Sequence, residues 1–397
     1  MAQKKRRILS IFGTRPEVIK LFPVLAGINK DASLESVVVS TSQHREMIDD
    51  LFELFKLTPD HDLNIIREKQ FLANISTLAV SGLDPLLKSH KPDLVLVQGD
   101  TTTAFSGALV AFYNQIPVGH VEAGLRSFNK KHPYPEEGNR KLISAIADFH
   151  FAPTDHNAKH LIEEGVVPGN IFVTGNTVID SLLYSVSSNS NTLSEYLPCE
   201  IWESCRMILV TSHRRENWGR PLENLCRALV DLTHSYPDIQ IVYPVHLNPA
   251  VRETVNKILS RRKRIHLLEP LTYKTFVEAM SRSHLIITDS GGIQEEGPSL
   301  QKPILVFRKV TERPEGLSTG GVKLVGLERE DIVQETSRLL EDDDAYRAMT
   351  ANYNPYGDGR AAERIIQAIK YYFGLAERPE DFRPGVSTSL SQQALPN

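Results

Sequence analysis

The chain has 397 residues, of which 41% are hydrophobic and 24% are charged, a balance typical of globular proteins. A single hydrophobic core rarely serves so long a chain, so two domains are expected. The formal net charge of -4 at pH 7 gives no sign of a broad basic surface for nucleic acid or for an anionic membrane. Any anion must therefore be bound by a local group of residues.

The N-terminal segment and the cysteines predict a cytoplasmic protein. The basic residues 4–7 precede a short apolar run, Ile8 to Phe12, which is too short for a signal peptide or a membrane-spanning helix. Cys199, Cys205 and Cys226 are odd in number and lack the paired spacing of zinc ligands. We therefore predict a reduced protein with no disulfide and no metal site.

Short apolar runs recur along the chain, and each is followed by a loop and a stretch of helical period. The first series comprises the runs 8–12, 37–39, 94–97, 118–121 and 171–173. The second series comprises the runs 207–210, 239–242, 265–268, 285–287 and 304–306. Runs that are apolar at nearly every position suit strands covered on both faces, and their alternation with helices predicts parallel α/β sheets.

A polar stretch over 185–192 separates the two series and predicts a linker. We predict a first Rossmann-like doubly wound domain over 1–180 and a second over 181–365. Helical spacing over 360–373 predicts a closing helix, assigned to about 366–380 and packed back on the first domain. Residues 381–397 lack an apolar period and are predicted to be disordered.

The loop after the first strand carries positive charge at the start of a predicted helix. Gly13 permits a tight turn, and Pro16 suits the first helical turn, whose N–H groups favour an anion. Arg15 and Lys20 add formal charge to this site. The alternative is an ordinary turn with two solvated cations. The glycine-rich patterns of dehydrogenases and P-loop proteins are absent from this segment.

Acidic residues follow the next two central strands, where parallel sheets bind ligands. Asp100 follows the run 94–97, Glu122 follows the run 118–121, and Glu136 lies in the next loop. Three such carboxylates would repel one another and raise the pKa of at least one, as an acid or base requires. Alternatively, Asp100 is a helix N-cap, and Glu136 and Glu137 serve a helix dipole. We favour the dipole role for Glu137 only.

The second half offers residues suited to a nucleotide diphosphate. His213 follows a strand directly and is followed by two arginines, which suits contact with a phosphate. The segment Ser290-Gly291-Gly292 presents backbone N–H groups at a helix N-terminus. Glu296, about one turn further, is placed to accept ribose hydroxyls, and Arg313 offers another cation before a proline.

Seven segments follow one another in order: Gly13-Thr14-Arg15-Pro16-Glu17, Gln98-Gly99-Asp100-Thr101, His120-Val121-Glu122-Ala123-Gly124-Leu125-Arg126, Pro135-Glu136-Glu137, His213-Arg214-Arg215-Glu216, Asp289-Ser290-Gly291-Gly292-Ile293-Gln294-Glu295-Glu296, and Thr311-Glu312-Arg313-Pro314-Glu315. Together they resemble the non-hydrolysing UDP-N-acetylglucosamine 2-epimerases, and the resemblance runs from about residue 7 to residue 370. The resemblance implies the GT-B fold, with two Rossmann-like domains and an interdomain cleft. It also implies a homodimer without a cofactor.

The resemblance also implies roles for individual residues. The implied catalytic residues are Asp100, Glu122, Glu136 and His213. The implied residues of the nucleotide site are Arg15, Lys20, Phe276, Ser290, Gly291, Gly292, Glu296 and Arg313. Some relatives are activated by a second UDP-N-acetylglucosamine beside the active site. Gln43, Arg45 and His246 resemble parts of that activator site, whereas Glu46 and Lys69 depart from its usual Gln and Arg.

The implied reaction is reversible epimerisation at C2 of UDP-N-acetylglucosamine to UDP-N-acetylmannosamine, through loss and re-addition of UDP. Its product would serve the synthesis of cell-surface polysaccharides. Three alternatives remain open: a GT-B glycosyltransferase, a hydrolysing 2-epimerase, and a sensor that binds the nucleotide sugar without turnover. The spacing of the carboxylates does not assign the acid and the base.

Overall fold

A computed structural model describes residues 4–42, 48–65, 71–188 and 191–385 of the protein. The chain forms two compact units. The first comprises Met1–Ser181 and Gly357–Phe382, and the second comprises Leu182–Tyr356 and Arg383–Asn397. The chain therefore passes into the second unit after Ser181 and returns at Gly357.

The first unit is built on a seven-stranded sheet in which every paired strand is parallel. Its strands are β1 (Arg6–Phe12), β2 (Leu34–Ser40), β3 (His61–Asp62), β4 (Leu94–Gln98), β5 (Val118–Val121), β6 (Phe149–Ala152) and β7 (Ile171–Val173). Their order is β3-β2-β1-β4-β5-β6-β7. The stretches Ile8 to Phe12 of β1 and Leu94 to Gln98 of β4 are buried throughout, which explains why all but one residue in each stretch is apolar.

Eight helices accompany this sheet in the described part of the chain. They are α1 (Arg15–Lys30), α2 (Asp49–Phe55), α3 (Leu72–His90), α4 (Thr102–Tyr113), α5 (Glu136–Ile146), α6 (Asp155–Glu163), α7 (Thr177–Ser187), which crosses into the second unit, and a terminal helix over Ala361–Tyr372. Helices α3 and α4 bury Leu83 and Ala108 with β1 and β4 in one hydrophobic core. Burial of this apolar face provides most of the helix stability.

The second unit contains a six-stranded parallel sheet. Its strands are β8 (Arg206–Thr211), β9 (Ile239–Pro244), β10 (Ile265–Leu268), β11 (Leu285–Thr288), β12 (Ile304–Val306) and β13 (Val322–Leu324). The order β10-β9-β8-β11-β12-β13 reverses direction beside the first strand, as it does in the first unit. Both units therefore have the strand order of doubly wound nucleotide-binding folds.

The second unit carries helices on both faces of its sheet. They are α8 (Glu200–Glu203), α9 (Arg220–Ser235), α10 (Pro249–Leu259), α11 (Tyr273–Arg282), α12 (Gly291–Glu296), α13 (Pro314–Ser318), α14 (Arg329–Glu341) and α15 (Asp343–Thr350). The terminal helix, Ala361–Tyr372, is therefore α16. Helix α9 buries Leu225 and Leu229 against β8 and β9 at a helical spacing. The predicted fold class, two Rossmann-like α/β domains, is confirmed.

The C-terminal segment differs from its prediction. Helix α16 begins at Ala361, earlier than the assigned 366, and packs against α1, where Lys370 contacts Asp31 at 2.8 Å. Beyond it, Phe382 is buried, and its N–H donates to the Val173 carbonyl at 2.7 Å. The predicted disordered tail is therefore wrong for Phe382, because this residue extends the edge of the first unit. Residues 386–397 lie outside the described residues.

Across the described ranges, no helix combines the length and apolar character needed to cross a bilayer. All three cysteines are free thiols. Burial raises the pKa of the Cys226 thiol to about 12, so this thiol is unreactive.

Candidate functional site

A buried glutamate organises the loop between β1 and α1. Glu17 accepts hydrogen bonds from the N–H groups of Gly13 and Thr14 at 3.0 and 2.7 Å, and from the Thr14 hydroxyl. Its other oxygen accepts from the Thr101 hydroxyl at 2.6 Å. Burial raises the pKa of Glu17, while these hydrogen bonds oppose the rise. Glu17 therefore joins the loop that begins α1, where Arg15 is the first helical residue, to the loop after β4.

Gly13 is required by space rather than by its backbone angles. A Cβ atom there would collide with the Thr41 hydroxyl and lie 2.7 Å from the Thr103 hydroxyl. The residue is not among those with positive φ. The close approach of Thr41, which follows β2, and of Thr103, in the first turn of α4, therefore explains the glycine better than a tight turn does.

Glu122 is the most extensively bonded of the predicted catalytic carboxylates. It is 8% exposed and accepts from Lys20 on α1, from the Gln98 side-chain amide at the end of β4, and from the Asn176 amide at 3.1 Å. Its φ of 65° lies in the left-handed region, which is unfavourable for a side chain of this kind. Lys20, predicted for the nucleotide site, thus lies against a carboxylate of its own unit.

Asp100 pairs with a cation from α5. Arg140 Nε donates to its carboxylate at 2.8 Å, and the Asn139 amide donates to its backbone carbonyl at 2.8 Å. The N-cap of α4 is Thr101, whose hydroxyl accepts from the Ala104 N–H. The N-cap alternative for Asp100 is therefore wrong.

The two adjacent glutamates at the start of α5 have different environments. Glu136 is the first helical residue, and its buried Oε2 has no hydrogen-bond partner among the described residues. Glu137 is fully buried and accepts from the N–H groups of Ser127 and Phe128 at 2.9 and 3.1 Å. Glu137 therefore fixes the loop after β5, which is more than the dipole role we predicted.

The first unit brings the three carboxylates to one edge of its sheet. A Cβ atom at Gly99, next to Asp100, would lie 3.5 Å from the Glu122 carboxylate. Arg140 links Asp100 to α5, the helix that Glu136 begins. Two of the three charges have their own cations, which offset the mutual repulsion we expected. Sequence analysis did not identify Gln98, Arg140 and Asn176 as site residues, because each lies far along the chain from the carboxylate that it contacts.

In the second unit, Asp289 organises the turn after β8. It is fully buried and follows β11. Its carboxylate accepts from the Ser212 hydroxyl at 2.9 Å, from the N–H groups of His213 and Arg214 at 3.1 and 3.0 Å, and from the Asn217 amide at 3.0 Å. Asp289 therefore sets the backbone that presents His213.

His213 is partly exposed at the end of this turn. Its Nδ1 lies 3.2 Å from the Asp289 carboxylate. Burial lowers the pKa of His213 below its ordinary 6.5, whereas the charge of Asp289 opposes this shift. His246 is exposed, and its ring centroid lies 6.2 Å from that of His213.

Two guanidinium groups converge on the start of α12. A Cβ atom at Gly291 would lie 3.7 Å from a terminal nitrogen of both Arg214 and Arg313. Ser290 is the N-cap residue, and its hydroxyl makes no capping hydrogen bond. Backbone N–H groups and two cations at one helix start form a suitable environment for an anion. Arg313 also pairs with Glu295 within this unit.

The remaining predicted nucleotide residues lie beside this helix. Glu296 is 7% exposed and accepts from the Tyr273 hydroxyl at 3.2 Å. Phe276 is half-buried on α11, one turn beyond Tyr273. Gly292 is exposed on the first turn of α12.

Of the four residues predicted for the activator site, the structure describes only His246. Gln43, Arg45 and Lys69 of the predicted activator site lie outside the described residues, as does Glu46. His246 is described, and its Nδ1 accepts from the Asn248 N–H at 3.2 Å. Within the described residues, no three His, Cys, Asp or Glu side chains group as metal ligands do.

Comparison with known proteins identifies the family. Residues 26–370 match the family model described as UDP-N-acetylglucosamine 2-epimerase. The chain is 50% identical to the Escherichia coli K12 enzyme of that name, over 92% of this chain and 98% of that protein. Identity to the Bacillus subtilis enzyme is 48%, over 96% and 99% respectively. The Neisseria meningitidis UDP-GlcNAc 2-epimerase, solved with UDP-GlcNAc bound, is 44% identical, with a TM-score of 0.85 over 92% of this chain and all of that chain. The chain therefore belongs to the UDP-N-acetylglucosamine 2-epimerase family.

Proposed function

We propose that this enzyme interconverts UDP-N-acetylglucosamine and UDP-N-acetylmannosamine by inverting C2 of the sugar. The observation that carries the proposal is the group of acidic residues in the first unit, Asp100, Glu122 and Glu136, at the carboxyl edge of a doubly wound sheet. A glycosyltransferase that shares the fold needs no such group to move a proton at C2. The names of the similar proteins support the same substrate.

The chemistry requires a leaving group before a base can act. The hydrogen on C2 is not acidic while UDP is attached. Breaking the bond between C1 and the diphosphate oxygen leaves positive charge at C1, which acidifies the C2–H bond. A carboxylate then takes that proton, and the electron pair of the broken C2–H bond forms the C1–C2 double bond of 2-acetamidoglucal. Proton delivery to the opposite face of C2 and re-addition of UDP at C1 give the epimer.

The second unit supplies the groups that would hold the departing UDP. Arg214 and Arg313 present cations at the start of α12, and Ser290-Gly291-Gly292 presents N–H groups there. Such preorganised groups stabilise charge that develops on the diphosphate. Glu296 and Phe276 of the same unit would hold the nucleoside.

The first unit supplies the groups that would move the proton. The ammonium of Lys20 favours the charged form of Glu122, which is the form in which a carboxylate acts as a base. The buried Oε2 of Glu136 has no hydrogen-bond partner among the described residues, which leaves this oxygen available to contact the sugar. Asp100, which is paired with Arg140, would orient the sugar or share the second proton transfer.

Proton NMR in deuterium oxide tests the reaction directly. Incubation of the enzyme with UDP-N-acetylglucosamine alone should produce the manno epimer, with deuterium at C2 of both sugars. Asp100→Asn and Glu122→Gln should lose at least about 100-fold of this rate, the usual contribution of a group that transfers a proton. Glu163→Gln, an exposed carboxylate on α6, is the matched control and should keep the wild-type rate. Turnover without deuterium at C2 would contradict proton removal.

The products also separate the remaining alternatives. Release of free N-acetylmannosamine and UDP in place of the epimer would identify a hydrolysing enzyme. Tight UDP-N-acetylglucosamine binding with no product would identify a sensor. We further propose a cytoplasmic homodimer whose product feeds cell-surface polysaccharide synthesis. Light scattering of the purified protein measures the oligomeric state, and a monomer would refute that part of the proposal.

A further inference from the structure

The buried carboxylate of Asp289, which sets the backbone at His213, also lies beside the imidazole of that residue. All four hydrogen-bonded groups that donate to the Asp289 carboxylate come from the segment 212–217, and the His213 ring lies against the same carboxylate. Asp289 itself is fully buried. A single side chain therefore determines both the backbone and the ring position of His213.

We propose that Asp289 is a positioning residue that keeps a proton on Nδ1 of His213, so that Nε2 faces the diphosphate and takes up a second proton when UDP binds. The second half of this inference rests on the proposed function, because UDP is its ligand. The first half, the position of the proton in the free protein, does not.

The chemistry of the two groups leads to this arrangement. A neutral imidazole has one nitrogen that donates and one that accepts, whereas an ionised carboxylate only accepts. Nδ1, which lies 3.2 Å from the Asp289 carboxylate, is therefore the nitrogen on which the proton is favoured, because a lone pair there would meet a negative charge. The lone pair on Nε2 would repel an anion. A diphosphate at Nε2 therefore favours the imidazolium, which donates to an anion on each side. The added proton comes from the solvent and returns to it when UDP leaves.

The charges around His213 show why the diphosphate is needed for the second proton. Burial, Arg214 and His246 lower the pKa of His213, while Asp289 and Glu216 raise it. The net direction is downward, so at neutral pH the free protein holds His213 in its neutral form. The negative charge of a diphosphate at Nε2 raises the pKa of His213 and so favours its protonated form.

Nitrogen-15 NMR of histidine-labelled protein tests the inference, with His213→Gln identifying the signals of His213. Without UDP, Nδ1 should be protonated and Nε2 should not. With saturating UDP, both nitrogens should be protonated. Asp289→Asn should lower the pKa of His213 by about one unit or more, because an opposite charge within hydrogen-bonding distance is lost. Ser212→Ala is the matched control, since it removes one donor to Asp289 but leaves the carboxylate facing the ring.

Calorimetry of UDP binding in buffers of different ionisation enthalpy measures the proton uptake. Binding should take up a proton in the wild type and in Ser212→Ala, and less than half as much in Asp289→Asn and His213→Gln. A free protein with the proton on Nε2 would overturn the first half, even if Asp289→Asn did not fold. UDP binding with His213 still neutral would overturn the second half and leave the proposed function standing. Absence of UDP binding would instead overturn the proposed function.

Discussion

Replacement of Glu17 tests whether this buried glutamate joins the start of α1, where Arg15 lies, to the loop after β4, where Asp100 lies. Glu17→Ala leaves the N–H groups of Gly13 and Thr14 without their acceptor. Each buried donor left unsatisfied costs about 1–3 kcal/mol, so the free energy of unfolding should fall by roughly 2–6 kcal/mol. Glu17→Gln retains an oxygen for these donors and places its amide against the Thr101 hydroxyl, which accepts as well as donates.

The pH dependence of the free energy of unfolding, compared between the wild type and Glu17→Gln, gives a second test of Glu17. Burial raises the pKa of Glu17 above its ordinary 4.5. Between pH 4.5 and the pKa in the native state, Glu17 is therefore protonated in the folded protein and ionised in the unfolded chain. The wild type should therefore lose stability relative to Glu17→Gln as pH rises above 4.5. Below that value both states are protonated, and this difference vanishes.

Denaturant unfolding and amide hydrogen exchange of the segment 13–17 are the appropriate assays. Glu17→Ala should lower the denaturant concentration at which the protein unfolds and should speed amide exchange at Gly13 and Thr14. Glu17→Gln should leave both quantities near those of the wild type. Glu163→Ala, an exposed glutamate on α6, is the control and should change stability by no more than about 0.5 kcal/mol. Equal effects of Glu17→Ala and Glu163→Ala would refute the role of Glu17.

Three further predictions concern the glycines, a buried aspartate and metal ions. Gly124→Ala combines a φ of 87° with a collision against the Asn157 carbonyl oxygen, while Gly165→Ala has a φ of 91° and open space. Denaturant unfolding should show a loss of about 1–2 kcal/mol for Gly165→Ala and about 1–3 kcal/mol more for Gly124→Ala; equal losses would contradict the predicted collision. Burial raises the pKa of Asp180 to about 7, so between its ordinary 3.8 and that value the wild type should lose stability relative to Asp180→Asn as pH rises. A flat difference between these two proteins across that range would show that Asp180 does not titrate in it. A chelator should leave the epimerisation rate unchanged; a rate that falls with chelator and returns with added metal would refute the metal-free prediction.

Several features of the site could be predicted from the sequence. Asp100, Glu122, His213 and Ser290 each follow an apolar strand of a parallel sheet, and such sheets present their ligand-binding loops at that end. The seven segments in order indicated the family. Local patterns of this kind depend on residues close together along the chain and are therefore visible in the sequence.

The sequence could not predict which groups hold these side chains. Lys20 was expected at the nucleotide, yet its ammonium lies on Glu122, 102 residues away along the chain. Gln98 and Asn176 complete the same group from the ends of different strands. Such partners depend on strand order and helix packing, which no short pattern encodes. Glu137 shows the same limit, because its burial against the loop at Ser127 is invisible in the motif.

The sequence by itself determined the two parallel α/β units and the residues that end their strands, because strand burial and loop position leave a periodic apolar pattern. Only the tertiary structure decided which charges are neutralised, which carboxylate oxygen lacks a donor, and which aspartate supports His213. The physical reason is that hydrogen bonds and ion pairs depend on distances of a few ångströms between residues far apart in the chain.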